Sequence, residues 1–228
     1  YSNIARGVSK LMGIELNVNF LFPYFVTSPQ AFWRNWHISL STWLRDYLYI
    51  SLGGSRRGTW KTYRNLLITM ALGGLWHGAA WTYVLWGVYQ GLVLIAGRLI
   101  SSWAGRIGVA IRPGLNLPAF LLGVVMFQVT CYGWLIFRAQ SVHQLATFTR
   151  LLFTNLRPTV MTIDSLLVPM LQIVIPLLLL HVYQARKGSE SAPTAWPLVP
   201  RYALYGAVFF LVLLFGDFEG TQFIYFQF

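Results

Sequence analysis

Between Asn65 and Gly97 the chain runs for 33 residues without one Asp, Glu, Lys or Arg. A stretch so apolar belongs out of water, yet one membrane-crossing helix needs only about 20 such residues. The run is therefore longer than a single helix requires. Gly73, Gly74 and Gly78 offer the natural interruption, so the pattern predicts a shorter helix, a kink near His77 and a second helix.

The rest of the chain repeats the theme. Leu117 to Phe137 is a clean span of 21 residues, and Ile163 to Tyr183 is another, interrupted by Asp164, Pro169 and Pro176. Tyr202 to Gly216 adds a last apolar run, lengthened by the aromatic tail Phe223 to Phe228. Val142 to Phe153, bearing His143 and Arg150, has the pattern of an interfacial helix. Gln184 to Arg201 is polar and rich in proline, the composition of a surface loop. Near the start, Ile4 to Leu16 is predicted as one helix, with Pro23 and Pro29 punctuating the residues after it. The first residue is Tyr1, with no basic n-region or cleavage site, and the expectation is a chain that begins inside a larger protein. The fold class is then an all-α integral membrane protein: a multi-span helical bundle with a kinked helix pair and interfacial helices, in one domain over residues 1–228.

Only 10% of the residues are charged, against about 25% in soluble domains, which supports that class. The net charge of +11, from 17 Lys and Arg against 6 Asp and Glu, would suggest a nucleic-acid partner in a soluble chain. Here the cations sit mostly in gaps between apolar runs, where they meet membrane lipid headgroups, so no nucleic-acid partner is expected. The gaps at 98–116, 138–162 and 184–201 each carry three Lys or Arg, and orientation does not follow from charge. The single cysteine, Cys131, excludes an intrachain disulfide and reads as a buried small side chain.

From Phe32 to Ile50 the apolar residues Trp33, Trp36, Leu40, Trp43, Leu44, Tyr47 and Leu48 recur at three- and four-residue steps, predicting one amphipathic helix. His37 falls at the edge of its apolar arc. Residues 51–64 form a basic loop with Arg56, Arg57, Lys61 and Arg64.

His77 is the sharpest chemical feature, because an ionisable group in an apolar segment is expensive unless it serves a purpose. A neutral imidazole avoids most of that cost and is the form a general base needs. Small neighbours at Gly73, Gly74, Gly78, Ala79 and Ala80 leave room for a helix partner or an extended acyl donor, with Trp76 and Trp81 as walls. Spacing alone leaves two readings open, a functional base and a structural histidine bonded across a helix pair. For His37 spacing favours an interface residue. Arg34, Arg45, Arg56 and Arg57 suit the phosphates of a nucleotide-type donor or lipid headgroups equally. His143 and His181 read as structural. There is no Gly-x-Ser-x-Gly elbow, no phosphate-binding glycine loop and no His-Glu-x-x-His, and no metal ligand set is expected.

The run FWRNWHISLSTWLRDYLYISLGGSRRG from Phe32, followed by RNLLITMALGGLWHGAAWTYVLWGVYQG from Arg64, resembles the membrane-bound O-acyltransferase family, in the branch that contains the alginate O-acetyltransferase membrane subunit and the D-alanyl transfer protein of teichoic acid. The opening YSNIARGVSKLMG and the closing FIYFQF are similar to that branch as well. Asn3, Asn35 and Ser51 depart from it, where Asp, Arg and Pro are usual.

The resemblance implies a many-helix fold with a tunnel, of which this chain is the C-terminal portion and residues 32–97 the catalytic motif region. It implies that His77 is the essential histidine and His37 the second, upstream one. It also implies acetyl transfer from acetyl-CoA, a cytoplasmic thioester, with no bound cofactor. The acceptor would be a hydroxyl that serves O-acetylation of an extracytoplasmic, alginate-like polysaccharide, with a periplasmic acetyl-transferring partner completing delivery at the bacterial inner membrane. Trp76, Arg34, Arg45, Arg56 and Arg57 are the expected substrate-binding residues beside His77 and His37. The alternatives are D-alanyl transfer to teichoic acid and a non-catalytic membrane conduit.

Overall fold

A computed structural model describes residues 2–106, 117–155 and 167–216. Asp164 and the tail Phe223 to Phe228 lie outside the described residues. Among those described, all regular structure is helical. Contacts divide the chain into two compact units, Tyr1–Thr154 and Asn155–Phe228.

In the first unit α1 spans Ser2–Leu11, shorter than the predicted Ile4 to Leu16, and ends in a turn at Met12 and Gly13. The predicted helix from Phe32 to Ile50 is three pieces: α2 (Pro29–Asn35), α3 (Ile38–Trp43) and a π-helical turn, Leu44–Tyr49. The break falls at Trp36 and His37, where the backbone turns extended and then left-handed. The side-chain period carries through this break, so hydrophobic spacing could not reveal it.

The 33-residue apolar run does break near His77. Helix α4 covers Thr59–Trp76 and α5 covers Trp81–Arg106, with His77 closing α4 and Gly78 next at φ 152°, a conformation open to glycine. Helix α6 (Leu117–Arg138) matches the predicted clean span, and α7 (Val142–Thr154) is a helix over the residues predicted as interfacial, Val142 to Phe153.

The second unit holds α8 (Val168–Lys187), a short 3₁₀ turn at Ala192–Ala195 and α9 (Leu198–Phe215). The linker folds back on α8, with Gln184 Nε2 donating to the Glu190 carbonyl at 2.6 Å and Trp196 Nε1 to the Tyr183 hydroxyl at 2.6 Å.

Among the described residues three helices are long and apolar enough to cross a membrane: α5, α6 and α9. The buried faces of α4 and α5 mix apolar residues with polar and small ones. On α4 the buried stripe is Thr62, Asn65, Leu66, Thr69, Met70, Gly73 and Gly74; on α5 it is Thr82, Trp86, Gly87, Gln90, Gly91 and Leu94. Leu66, Met70 and Leu94 form an apolar cluster among these polar and small residues, while Leu72, Leu75, Leu85 and Leu92 on the same two helices are exposed. In lipid there is no hydrophobic drive to pair helices, so close packing and internal hydrogen bonds hold them.

The tightest approach is at Gly74 and Gly87. A Cβ on Gly74 would collide with the Tyr83 carbonyl oxygen, and one on Gly87 with the Met70 carbonyl oxygen. Only glycine lets α4 and α5 come this close, and the approach fixes the break that carries His77.

Candidate functional site

His77 is half-buried at the end of α4, its N–H bonded to the Gly74 carbonyl at 3.0 Å. Its ring meets Trp76 at 5.0 Å, Phe137 of α6 at 5.1 Å and Trp86 of α5 at 5.3 Å, each edge-on, with Tyr83 farther off at 6.4 Å. The three helices thus build an aromatic cage around one imidazole. The expected walls were Trp76 and Trp81. Trp81 is 75% exposed and has no part in the cage, and Trp76 touches His77 while remaining 59% exposed. Trp86 and Phe137 take the walling role, brought in by the packing of α5 and α6 on α4.

His37 stands next to Phe20, outside that cage, with ring centroids 5.8 Å apart. Its backbone is left-handed, φ 41° and ψ 58°, uncommon for a residue with a side chain and a cost of about 1–3 kcal/mol. A segment distant in sequence holds the turn. The Asn19 carbonyl accepts from Ile38 N at 2.9 Å, and Asn19 Oδ1 accepts from Ser39 N at 2.9 Å and Ser39 Oγ at 2.7 Å. Ser41 Oγ donates to the Trp36 carbonyl at 2.8 Å. Asn19 therefore does the capping that α3 lacks from its own N-cap residue, His37, whose side chain makes no capping bond.

A chain of rings joins the two histidines. From His77 it passes to Trp86, then to Trp134 at 6.3 Å, Trp36 at 4.7 Å, Phe20 at 4.7 Å and His37 at 5.8 Å. Burial holds the His37 imidazole below its usual pKa. His77, outside the three candidate spans, is lowered by burial first and then by the charge of a protonated His37. Burial, the larger cause for each, favours the neutral form, the state in which an imidazole accepts a proton.

The expected donor-binding cations are elsewhere on the surface. Arg34 is exposed on α2. Arg45 forms a two-pronged ion pair with its neighbour Asp46, Nε to Oδ1 at 2.6 Å and a second bond at 3.1 Å, both side chains in solvent. Arg56 and Arg57 are exposed in the loop before α4. That loop is stapled by Asn65, fully buried, whose Nδ2 donates to the Leu52 carbonyl at 3.1 Å and the Gly54 carbonyl at 3.0 Å, while its Oδ1 accepts from Arg64 at 3.0 Å. His143 and His181 are exposed. Among the described residues no group of three His, Cys, Asp or Glu is assembled to hold a metal.

Sequence reasoning missed Asn19, Phe20, Trp86, Trp134 and Phe137. Nothing in local spacing marks them, since they reach the histidines only through folding.

The family model described as MBOAT, membrane-bound O-acyltransferase family, matches residues 1–131. The chain is 46% identical over 154 residues to the probable alginate O-acetylase AlgI of Pseudomonas putida, covering 68% of this chain and 30% of that protein. It is 37% identical over 142 residues to the peptidoglycan O-acetyltransferase of Helicobacter pylori, covering 62% and 26%. To the teichoic acid D-alanyltransferase of Bacillus subtilis it is 28% identical over 155 residues, covering 63% and 38%. The chain thus spans between about a quarter and two-fifths of the length of these relatives.

Proposed function

The chain belongs to the membrane-bound O-acyltransferase family, and from that premise we propose that it carries the catalytic base of an enzyme that acetylates a polysaccharide for the cell exterior. The donor is a cytoplasmic thioester, acetyl-CoA, and the acceptor a hydroxyl presented at or across the bacterial inner membrane. The observation that carries this reading is the half-buried His77 held in an aromatic cage, to which a chain of ring contacts joins His37.

In the reaction His77 takes the proton of the acceptor hydroxyl as its oxygen attacks the thioester carbonyl carbon. The C–S bond breaks, and the thiolate recovers the proton from the imidazolium. No covalent enzyme intermediate is needed. His37 orients the donor or the acceptor, Trp76 lines the entrance beside His77, and the exposed Arg34, Arg45, Arg56 and Arg57 meet the phosphates of CoA. A periplasmic acetyl-transferring protein completes delivery to an alginate-like polymer. Acetyl transfer is preferred to D-alanyl transfer because the relatives named for O-acetylation are the more similar, at 46% and 37% against 28%.

The test is His77→Ala in the intact protein, with normal membrane insertion confirmed by immunoblot. Polymer-bound acetyl is expected to fall by about 10²- to 10⁴-fold, the usual range for removing a general base. Full acetylation by that variant would refute the reading and favour a conduit.

A further inference from the structure

We propose that the indole N–H of Trp86 donates the hydrogen bond that stabilises the oxyanion of the reacting acyl group. The proposal rests on His77 as the base and adds the second half of the site.

Trp86 lies on α5 and is 3% exposed. Its ring stands edge-on to that of His77, centroids 5.3 Å apart at 89°. Its Nε1 is buried, and no protein acceptor lies within hydrogen-bonding reach. An indole N–H can only donate. Leaving a buried donor unpaired costs about 1–3 kcal/mol, and phenylalanine would fill an apolar cage without that cost. The surrounding rings, Phe137 at 5.3 Å, Trp33 at 6.0 Å and Trp134 at 6.3 Å, place this donor among apolar faces. Trp33 Nε1 is in the same condition, so the cage presents more than one N–H in want of an acceptor.

A buried donor beside a general base is the arrangement acyl transfer requires, provided that one atom sits about 3 Å from both. When the acceptor oxygen attacks, electrons of the C=O bond move onto the carbonyl oxygen. Trp86 Nε1–H bonds to that oxygen without giving up its proton, and the proton of the attacking hydroxyl goes to His77. As the C=O bond re-forms, the C–S bond breaks and the thiolate takes the proton from His77. In a cage of low polarity the bond strengthens as negative charge develops, so it favours the transition state over the bound thioester.

The experiment uses the intact protein in membrane vesicles, with radiolabelled acetyl-CoA as donor and the membrane's own polymer as acceptor. Trp86 is replaced by β-(3-benzothienyl)alanine, which keeps the bicyclic shape and has sulfur in place of N–H, and in parallel by Trp86→Phe. The isostere is expected to lower kcat by about 10²- to 10³-fold, the effect of removing one oxyanion donor, with KM for acetyl-CoA near that of the parent. An unchanged kcat with the isostere overturns the proposal, whether or not Trp86→Phe is impaired, because Trp86 would then serve packing alone. His77→Ala in the same vesicles separates the two assignments. An inactive His77→Ala beside a fully active isostere removes only Trp86 from the mechanism, whereas an active His77→Ala removes the base.

Discussion

His77 terminates a helix whose packing is set by glycine, whereas His37 occupies a strained turn held by hydrogen bonds from a segment 18 residues earlier. The first arrangement is steric. Gly74 and Gly87 let two helices touch, the chain breaks between them, and His77 is left facing α5 and α6. The second is polar. Asn19 satisfies Ile38 and Ser39, and those bonds offset the cost of a left-handed His37. The difference teaches that one site can be assembled by two kinds of restraint, and that each fails in its own way. A steric restraint fails when bulk is added, and a polar one when an acceptor is removed.

The largest effect that tests this contrast is expected from Gly74→Ala or Gly87→Ala. Each added methyl meets a backbone carbonyl that cannot swing aside, so the cost lies at or above the upper end of the usual range of about 1–3 kcal/mol for overpacking. Loss of the detergent-solubilised, folded fraction by size-exclusion chromatography would register it. Full retention of fold and activity would show that α4 and α5 can part at this contact without harm.

Next comes the His37 side chain. Both His37→Ala and His37→Gly are expected to lose about 10²-fold in acetyl transfer, the lower end for a group assisting proton transfer. The glycine variant should be the more stable of the two, because it adopts φ 41° without strain. Activity in His37→Gly near that of the parent would reduce His37 to a backbone element.

Asn19→Ala should have a smaller consequence. It removes both side-chain bonds to Ser39 and leaves the backbone bond to Ile38, a loss of about 1 kcal/mol, as for other caps. A modest fall in transfer rate, rescued by Asn19→Asp, is the expected result. No fall in either rate or thermal stability would dissociate the cap from the site.

The smallest effect is one of pH. Burial lowers the His37 pKa from 6.5, so between its folded and unfolded values the unfolded chain binds more protons. The contribution of His37 to stability is therefore present above about pH 6.5 and lost as pH falls through the window below it. Thermal unfolding followed across that window should show the decline, and His37→Gly should flatten it. A decline of equal size in both proteins would assign the acid sensitivity to another group.

Much of the fold was open to inspection in the residue order. An apolar run marked α6, an amphipathic pattern marked α7, and the glycines of an over-long apolar run marked the break between α4 and α5, because each is a property of a segment by itself. The histidines were visible for the same reason. His77 stood out against an apolar background, and the motifs around it and His37 carried the resemblance to the family. The split of the predicted Phe32 to Ile50 helix was hidden because Asn19, outside the helix, caps the start of α3 at the break.

What the residue order determined by itself, then, is that the chain is helical, membrane-embedded and equipped with two histidines in recognisable surroundings. Which helix faces pack, which rings close on His77 and which indole is buried beside it were decided by tertiary structure. The physical reason is the solvent. In water one apolar stripe marks the inner face of a helix, but in lipid both faces are apolar, and the packed face is distinguished by small and polar residues such as Gly74, Gly87, Thr82 and Gln90. Those residues acquire meaning only when a second helix arrives to meet them.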